Sequence, residues 1–452
     1  MLNLFSLAVY PIILKYKQFE QPNGHLVRGI GKWDFVALVV NITIGAGILG
    51  LPSKIFALVG LYSLAAIVGC AALIFLLILC FAEVGSRFSG TGGPYLYTLT
   101  ILGPLTGFLA GWLLWLSRLF SFASVCNLLV DYTAYVWPSS GQGPIRVTLI
   151  CAVIFALAAV NYSGIRPATR VNNIITIVKL SVLILFVGIG LFYIHPSNFR
   201  TVRVFNPSAM MSSVLLLVFA FSGFDVASVP AGEVIEPQRT VPKSLLIAIA
   251  IVSLLYWGIQ YVCIGTLTGL SQSTKPIADA ARIFMGTAGG YLITAGALIT
   301  MLGTLNVLML TSSRLLFAMA EQKQLPLQLC YVDKRFHTPW VAILITVAAL
   351  LFLTVGGNFI NTLTISAIIR LFTFITTCLA LPMLRLKRGD RAPFTVPGGG
   401  YIAAFAILVC LFLFANIDYT EAVNAGFLAL AGLAVYLFCK YTGANGSTNS
   451  KK

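Results

Sequence analysis

The sequence predicts an all-α integral membrane fold of twelve transmembrane helices, and three observations carry that prediction. Of 452 residues, 59% are hydrophobic and 9% are charged, whereas soluble domains carry roughly 25% charged residues. Mean hydropathy is +0.95. Apolar runs long enough to cross a bilayer, about 20 residues each, follow one another with short connections that leave no room for a soluble domain. Such a chain cannot cover a water-facing surface, and lipid is its solvent.

The elements follow in order. Residues 1–33 read as a cytoplasmic segment. Its apolar start, Met1 to Leu14, has no basic region before it and no small-residue cleavage site after it. It reads as an interfacial segment or an overlong start rather than a signal peptide. Spans are expected at approximately 34–57, 60–83, 105–136, 145–163, 170–194, 209–230, 244–268, 288–318, 339–355, 359–384, 399–416 and 421–439, the ninth and eleventh being short. Pro138-Ser139-Ser140-Gly141, His195-Pro196-Ser197-Asn198 and Gly356-Gly357-Asn358 supply turn chemistry between them. One domain thus covers 34–439, and 440–452 form a cytoplasmic tail.

Charge placement sets orientation and excludes partners. The net charge of +16 would suit nucleic acid, but the basic residues sit mostly in short loops between apolar runs. With the N-terminus inside, about twenty Lys and Arg fall on inner segments and six on outer ones, as the positive-inside rule requires. Both termini are expected in the cytoplasm of a plasma-membrane protein. The nine cysteines are scattered, without a Cys-x-x-Cys pair, and are expected to be buried and reduced. His25, His195 and His337 lie in connections, unsuited to a metal site. No cofactor is expected. A membrane-embedded enzyme would need clustered His, Asp or Glu, or an activated Ser–His pair, at bilayer depth. No such cluster is present, nor is a Walker A sequence or a repeated filter motif.

Two spans are interrupted. Span 1 contains Asn41-Ile42-Thr43-Ile44-Gly45-Ala46-Gly47-Ile48-Leu49-Gly50-Leu51-Pro52, with three glycines and a proline in its last eight residues, poor helix material. Small residues also serve close helix packing, and this stretch alone does not decide. Span 6 carries a second interruption, Phe221-Ser222-Gly223-Phe224-Asp225. Paired interruptions in corresponding spans point to a transporter site. Free N–H groups at a half-helix N-terminus suit a carboxylate, and free carbonyls opposite suit an ammonium. Together they describe a site for an α-amino-acid group.

These stretches resemble the amino acid–polyamine–organocation superfamily of amino acid permeases. Gly45-Ala46-Gly47-Ile48 through Leu51-Pro52 is similar to its first broken helix. Ala82-Glu83 through Gly92-Gly93-Pro94-Tyr95, then Gly111-Trp112-Leu113-Leu114-Trp115, resembles its helix 2–3 region. Phe221 to Asp225, with Gly232-Glu233 and Glu236-Pro237 to Val241-Pro242, resembles helices 6–7. Ser313 to Ala320, with Leu325-Pro326 and Thr338-Pro339, resembles the helix 8–9 junction. The resemblance implies the leucine-transporter-type five-plus-five inverted repeat, about 34–194 and 209–384, with two further helices, and a monomer or homodimer.

Residue roles follow from the resemblance. Gly45, Ala46 and Gly47 would give amides to a substrate carboxylate, with Ile44 and Gly223 in the same breaks. The carbonyls of Thr43, Phe219 and Ser222 would receive the ammonium, and the Phe219 ring would close over the substrate. Bulky replacements of Gly45 or Gly47 are expected to abolish binding and spare membrane insertion. Lys179, a charge at membrane depth and a functional candidate on that ground, stands where some proton-coupled relatives carry a lysine. It is expected to face spans 1 and 8 and to tie the first break to span 8, where Thr304, Asn306, Thr311 and Ser312 are its candidate polar neighbours; snorkelling or structural pairing is the alternative. Arg118 and Ser366 match side-chain-pocket positions, and Arg370 lies one turn from Ser366. Asp225 would neutralise one arginine, unless both belong to a structural network with Asp131 or Asp225. Glu83, Glu233 and Glu236 read as loop anchors. If Arg118 is unpaired, neutral polar or acidic substrates are favoured; if Asp225 pairs with it, small apolar ones are. The expected activity is secondary transport, as proton-coupled symport of neutral L-amino acids. An amino acid/polyamine exchanger is the alternative, with a transporter-like sensor or a membrane enzyme behind it.

Overall fold

The computed structural model describes residues 31–88, 93–134, 137–162, 169–200, 204–227, 234–333, 336, 338–387, 392–417 and 419–441. Most of the expected N-terminal segment and tail, together with Gly92, Gly232, Glu233, His25 and His337, lie outside them. The described chain is built of helices, with no strand among the described residues. In order they are α1 (Lys32–Thr43), α2 (Ala46–Val59), α3 (Ser63–Gly85), α4 (Pro94–Leu102), α5 (Pro104–Thr133), α6 (Gly143–Tyr162), α7 (Thr169–Gly190), α8 (Pro207–Ala220), α9 (Phe224–Ala227), α10 (Pro237–Thr266), α11 (Pro276–Glu321), α12 (Trp340–Gly356), α13 (Phe359–Lys387), α14 (Gly399–Ala415) and α15 (Tyr419–Tyr441).

Among the described residues, nine helical stretches are long and apolar enough to cross a membrane. One of them joins α2 and α3 through the 3₁₀ turn Gly60–Tyr62. α12 and α14 are apolar but shorter, as the sequence anticipates for the ninth and eleventh runs. Two features were not read from sequence. α4 is a short helix in what looked like a connection, started by Pro94 at its first turn. α11 begins twelve residues before the expected 288, and its early kink falls at Gly286, whose φ of 68° suits glycine.

Burial sorts the helices. The apolar window of α5 is buried throughout, while those of α6 and α15 are 11% and 17% buried. α5 is therefore the central post, packed mainly on α13 and α11. α6 and α15 lie at the periphery, where large apolar side chains such as Phe155, Phe427 and Phe438 are exposed. Exposed apolar surface of this extent is incompatible with water and is the face a bilayer covers.

A buried carboxylate locks one end of the bundle. Glu83, near the end of α3, receives Arg385 Nε and Nη2 at 2.7 Å each and the Val396 amide at 2.8 Å. Arg385 also donates to the Val396 carbonyl at 2.7 Å. This forked pair ties α3 to the end of α13 and to the segment entering α14, the anchoring role expected of Glu83. Glu83→Ala leaves Arg385 without its carboxylate and is expected to cost about 2–4 kcal/mol. Thermal unfolding of the purified protein in detergent, compared with Glu83→Gln, checks this: the glutamine variant retains part of the loss-prone bonding and unfolds between wild type and alanine.

Candidate functional site

The helix breaks expose backbone groups that must find partners. α1 ends at Thr43, and its C-terminal carbonyls have no partner within the helix. Ile44 and Gly45 leave the helical conformation, with φ/ψ of −75°/87° and −119°/−150°. α2 then restarts at Ala46, presenting its unpaired first amides. α8 ends at Ala220, Phe221–Gly223 form a turn, and α9 begins at Phe224. Both interruptions anticipated from sequence are thus present.

Close approach brings the breaks side by side. A Cβ on Gly47 would stand 2.6 Å from Ala220 Cα, and one on Gly223 would stand 3.0 Å from the Thr43 amide nitrogen. Gly223 also has a φ of 132°, a conformation that only glycine adopts readily. The start of α2 therefore seats on the end of α8, and the start of α9 on the end of α1.

Two side chains hold these ends. Tyr256 of α10, fully buried, directs its hydroxyl at the carbonyls of Thr43 and Ala220, each at 2.9 Å. Lys179 of α7 donates to the Asn41 carbonyl at 2.9 Å, to Asn41 Oδ1 at 2.8 Å and to the Ile44 carbonyl at 2.6 Å. Its ammonium sits where the negative end of the α1 dipole points. The expected span 8 partners lie elsewhere. Asn306 accepts from Asn161 at 2.9 Å, the Thr311 carbonyl accepts from Arg118, and Ser312 bonds its own helix. Thr304 lines the cavity described next. Nothing in the sequence marked Tyr256, one of 17 tyrosines. Asn41, a polar residue inside an apolar run, was a readable signal.

Between the breaks lies a cavity. It is lined by Thr43, Gly45, Ala46 and Gly47 from the first break, by Phe219, Ser222 and Gly223 from the second, by Ser121 and Val125 of α5, by Thr304, Val307 and Leu308 of α11, and by Arg370 of α13, among others. The structure thus brings most of the sequence-chosen residues onto one wall. Ile44 turns its carbonyl to Lys179 instead. Arg118, Asp225 and Ser366 are not among the described lining residues. Ser366 sits one layer behind, bonded to Ser121 Oγ at 2.7 Å and Ser117 Oγ at 3.1 Å. Ser117 and Ser121, four residues apart on one helix face, were a legible pair that sequence reading passed over. The Thr43 and Phe219 carbonyls each already accept two hydrogen bonds, Thr43 from the Tyr256 hydroxyl and the Gly45 amide at 2.9 Å each, and Phe219 from Ser222 Oγ at 2.5 Å and the Ser222 amide at 3.1 Å. A carbonyl oxygen has two lone pairs, so an ammonium would have to share these two acceptors with the protein's own donors.

Of the two arginines behind the breaks, Asp225 pairs with Arg370. Asp225 Oδ1 accepts from Arg370 Nη1 at 3.2 Å and from the Gly223 amide at 3.1 Å. Arg370 also donates to Ser117 Oγ and Ser121 Oγ at 3.3 and 3.1 Å. Arg118 donates to the Thr311 carbonyl at 2.8 Å. Asp131 pairs with Arg146 at 2.8 Å and belongs to neither.

Comparison with known proteins now adds its own finding. The sequence pattern of the amino acid permease family matches residues 30–438, and the chain belongs to that family. It is 28% identical to the branched-chain amino acid permease BcaP of Bacillus subtilis over 91% of this chain and 92% of the relative. It is 26% identical to the methylthioribose transporter of the same organism, over 93% and 95%. It is 27% identical to the serine/threonine exchanger SteT of that organism, over 92% and 97%. The protein is a multi-pass membrane permease and not an enzyme.

The two glycines of the first break separate packing from binding. A Cβ on Gly45, a residue lining the cavity, meets the Thr304 side chain at 3.5 Å and the Ile42 carbonyl oxygen at 4.0 Å, both ordinary contacts. Gly47→Val, contrary to the simpler sequence expectation, forces α2 off α8 and is expected to lower folded yield. Gly45→Val is expected to fold, to insert and to lose substrate binding at least tenfold. Fluorescence-detected size exclusion read beside a ligand thermal shift checks both.

Proposed function

We propose that this permease is a secondary active transporter that couples uptake of neutral L-amino acids to proton entry across the plasma membrane. The single observation that carries this reading is the meeting of unpaired α2 amides and of the α1 and α8 carbonyl ends in one cavity. That arrangement offers donors to a carboxylate and acceptors to an ammonium a few ångströms apart, as a free α-amino acid requires. Ile42, Val125, Val226, Val307 and Leu308 in the cavity lining support a neutral side chain, and Arg370 in the same lining disfavours a cationic one. Relatives named for branched-chain amino acids and for serine and threonine point the same way, while the methylthioribose transporter marks how far substrates diverge at this level of identity.

The architecture we propose is twelve spans. It counts α1–α2 and α8–α9 as one broken span each, with α3, α5, α6, α7 and α10 to α15 as the other ten. The breaks are then five spans apart, which supports two inverted five-helix repeats followed by α14 and α15. Both termini are cytoplasmic in this arrangement, by the distribution of basic residues.

Coupling is assigned to Lys179. The protonated ammonium satisfies three oxygens at the end of α1 and ties α7 to the break. A lysine is able to give up its proton inside a protein, whereas an arginine is not. Deprotonation removes the cation that holds the Asn41 and Ile44 carbonyls and frees the first break to move. Lys179→Ala is expected to lose accumulation driven by an imposed pH gradient in proteoliposomes while retaining part of substrate exchange. Accumulation that persists in the variant, or that depends on sodium in the wild type, overturns the coupling role. Amino acid esters and decarboxylated amines are expected to compete poorly with the parent amino acids.

A further inference from the structure

The charge beneath the cavity does not balance. Arg118, Arg370 and Asp225 are all buried, at 1%, 2% and 0% exposure. They amount to two guanidiniums for one carboxylate, and Asp225 places its Oδ1 on Arg370. Among the described residues no ion pair includes Arg118. Its Nη1 has the Thr311 carbonyl, while its Nε and Nη2 have no hydrogen-bond partner. Two other buried or half-buried arginines, Arg370 and Arg385, are better served. Arg370 makes three side-chain bonds, and Arg385 sets two nitrogens on Glu83 and bonds the Val396 carbonyl as well. An arginine keeps its proton in a protein, so the surplus charge cannot be shed by titration. An isolated charge away from water is strongly unfavourable.

The position of that guanidinium gives it a use. Ser121 of α5 and Leu308 of α11 line the cavity, as does Arg370. Arg118 and its partner Thr311 lie three residues further along the same two helices, about one turn or ~5 Å beyond that wall. Arg118 is therefore anchored about one turn beyond the part of the cavity bounded by α5, α11 and α13, and its unpartnered N–H groups are buried and closed off from the cavity in this conformation. A structural arginine would be saturated there, and a cation is repelled.

We propose that Arg118, with Arg370 above it, forms a subsite for one monoanion at the deep end of the substrate cavity. The anion is the side-chain carboxylate of an acidic amino acid or, alongside a neutral amino acid, a free halide. One negative charge matches the surplus of one, which disfavours dianions such as phosphate esters. The proposal rests on the reading of the cavity as an amino acid site and extends it to the substrate's distal end.

The test uses the full-length protein. In proteoliposomes, uptake of radiolabelled L-leucine and L-serine is measured in chloride and in gluconate, and with L-glutamate or L-glutamine as competitor. A side-chain source predicts that L-glutamate competes at least tenfold better than L-glutamine. A halide source predicts that uptake falls at least fivefold in gluconate. In either case Arg118→Gln is expected to bring the affected ratio to about one, and Arg118→Lys to retain part of it. Absence of both preferences in the wild type overturns the subsite, and so does a ratio unchanged in Arg118→Gln. If Arg118→Gln does not fold, the wild-type ratios decide alone. If no amino acid is taken up, the amino acid reading falls by itself. The thermal shift of the detergent-purified wild type between chloride and gluconate then decides the anion subsite, a shift supporting it and its absence overturning it.

Discussion

Every other feature of the site depends on one constraint: a backbone that stops being helical inside a low-dielectric interior must have its carbonyls and amides satisfied. At the first break Lys179 and Tyr256 meet it from two different helices. Lys179 takes the Asn41 and Ile44 carbonyls, and Tyr256 takes that of Thr43. The amides of α2 are the groups this arrangement does not serve from within the helix, and they face the cavity. The unwinding is therefore selective. Carbonyls are largely tied back to protein, and the donors remain for something else.

Packing makes the same selection. Gly47 and Gly223 allow the two broken segments to touch through backbone, where a side chain would force them apart. Ser117, Ser121 and Ser366 let α5 and α13 meet through small hydroxyls, leaving room behind them for Arg370 and Asp225. The cavity is consequently walled by short side chains near the breaks and by aliphatic ones on α11. Its polar character comes from main chain at the breaks and from residues such as Ser121, Thr304 and Arg370. On the proposed reading a zwitterionic head group then needs few side chains, and Arg370 is the charged residue among those lining the cavity.

Much of this was legible in the sequence because breaks are written in glycine and proline. Gly45, Gly47 and Gly223 announce themselves in an otherwise apolar chain, and a lysine inside Val178-Lys179-Leu180 is conspicuous for the cost of burying it. What the sequence could not convey was who answers whom. Lys179 is expected to tie the first break to span 8; it does reach the break, through Asn41 and Ile44, but bonds none of the chosen polar residues of span 8, because the α1 carbonyls left open by the break are its nearest acceptors. Asp225 had two arginines to choose from, a matter of helix rotation that periodicity does not resolve. Gly47 read as a ligand-facing residue when its lack of a side chain is also demanded by Ala220. Tyr256 was invisible, since a tyrosine in an apolar span carries no mark of the carbonyls it will reach.

The hydroxyl of Tyr256 has a single hydrogen and two carbonyls to serve, one from each broken segment. A donor divided in this way is not a rigid strut. When either carbonyl recedes, the hydrogen swings into line with the other, and the contact that remains strengthens as the first weakens. The penalty for separating the two segments is thus a fraction of a full buried hydrogen bond instead of the whole of one. Tyr256 works as a slipping clutch: it keeps the two segments in register at rest and offers little resistance to their sliding past each other.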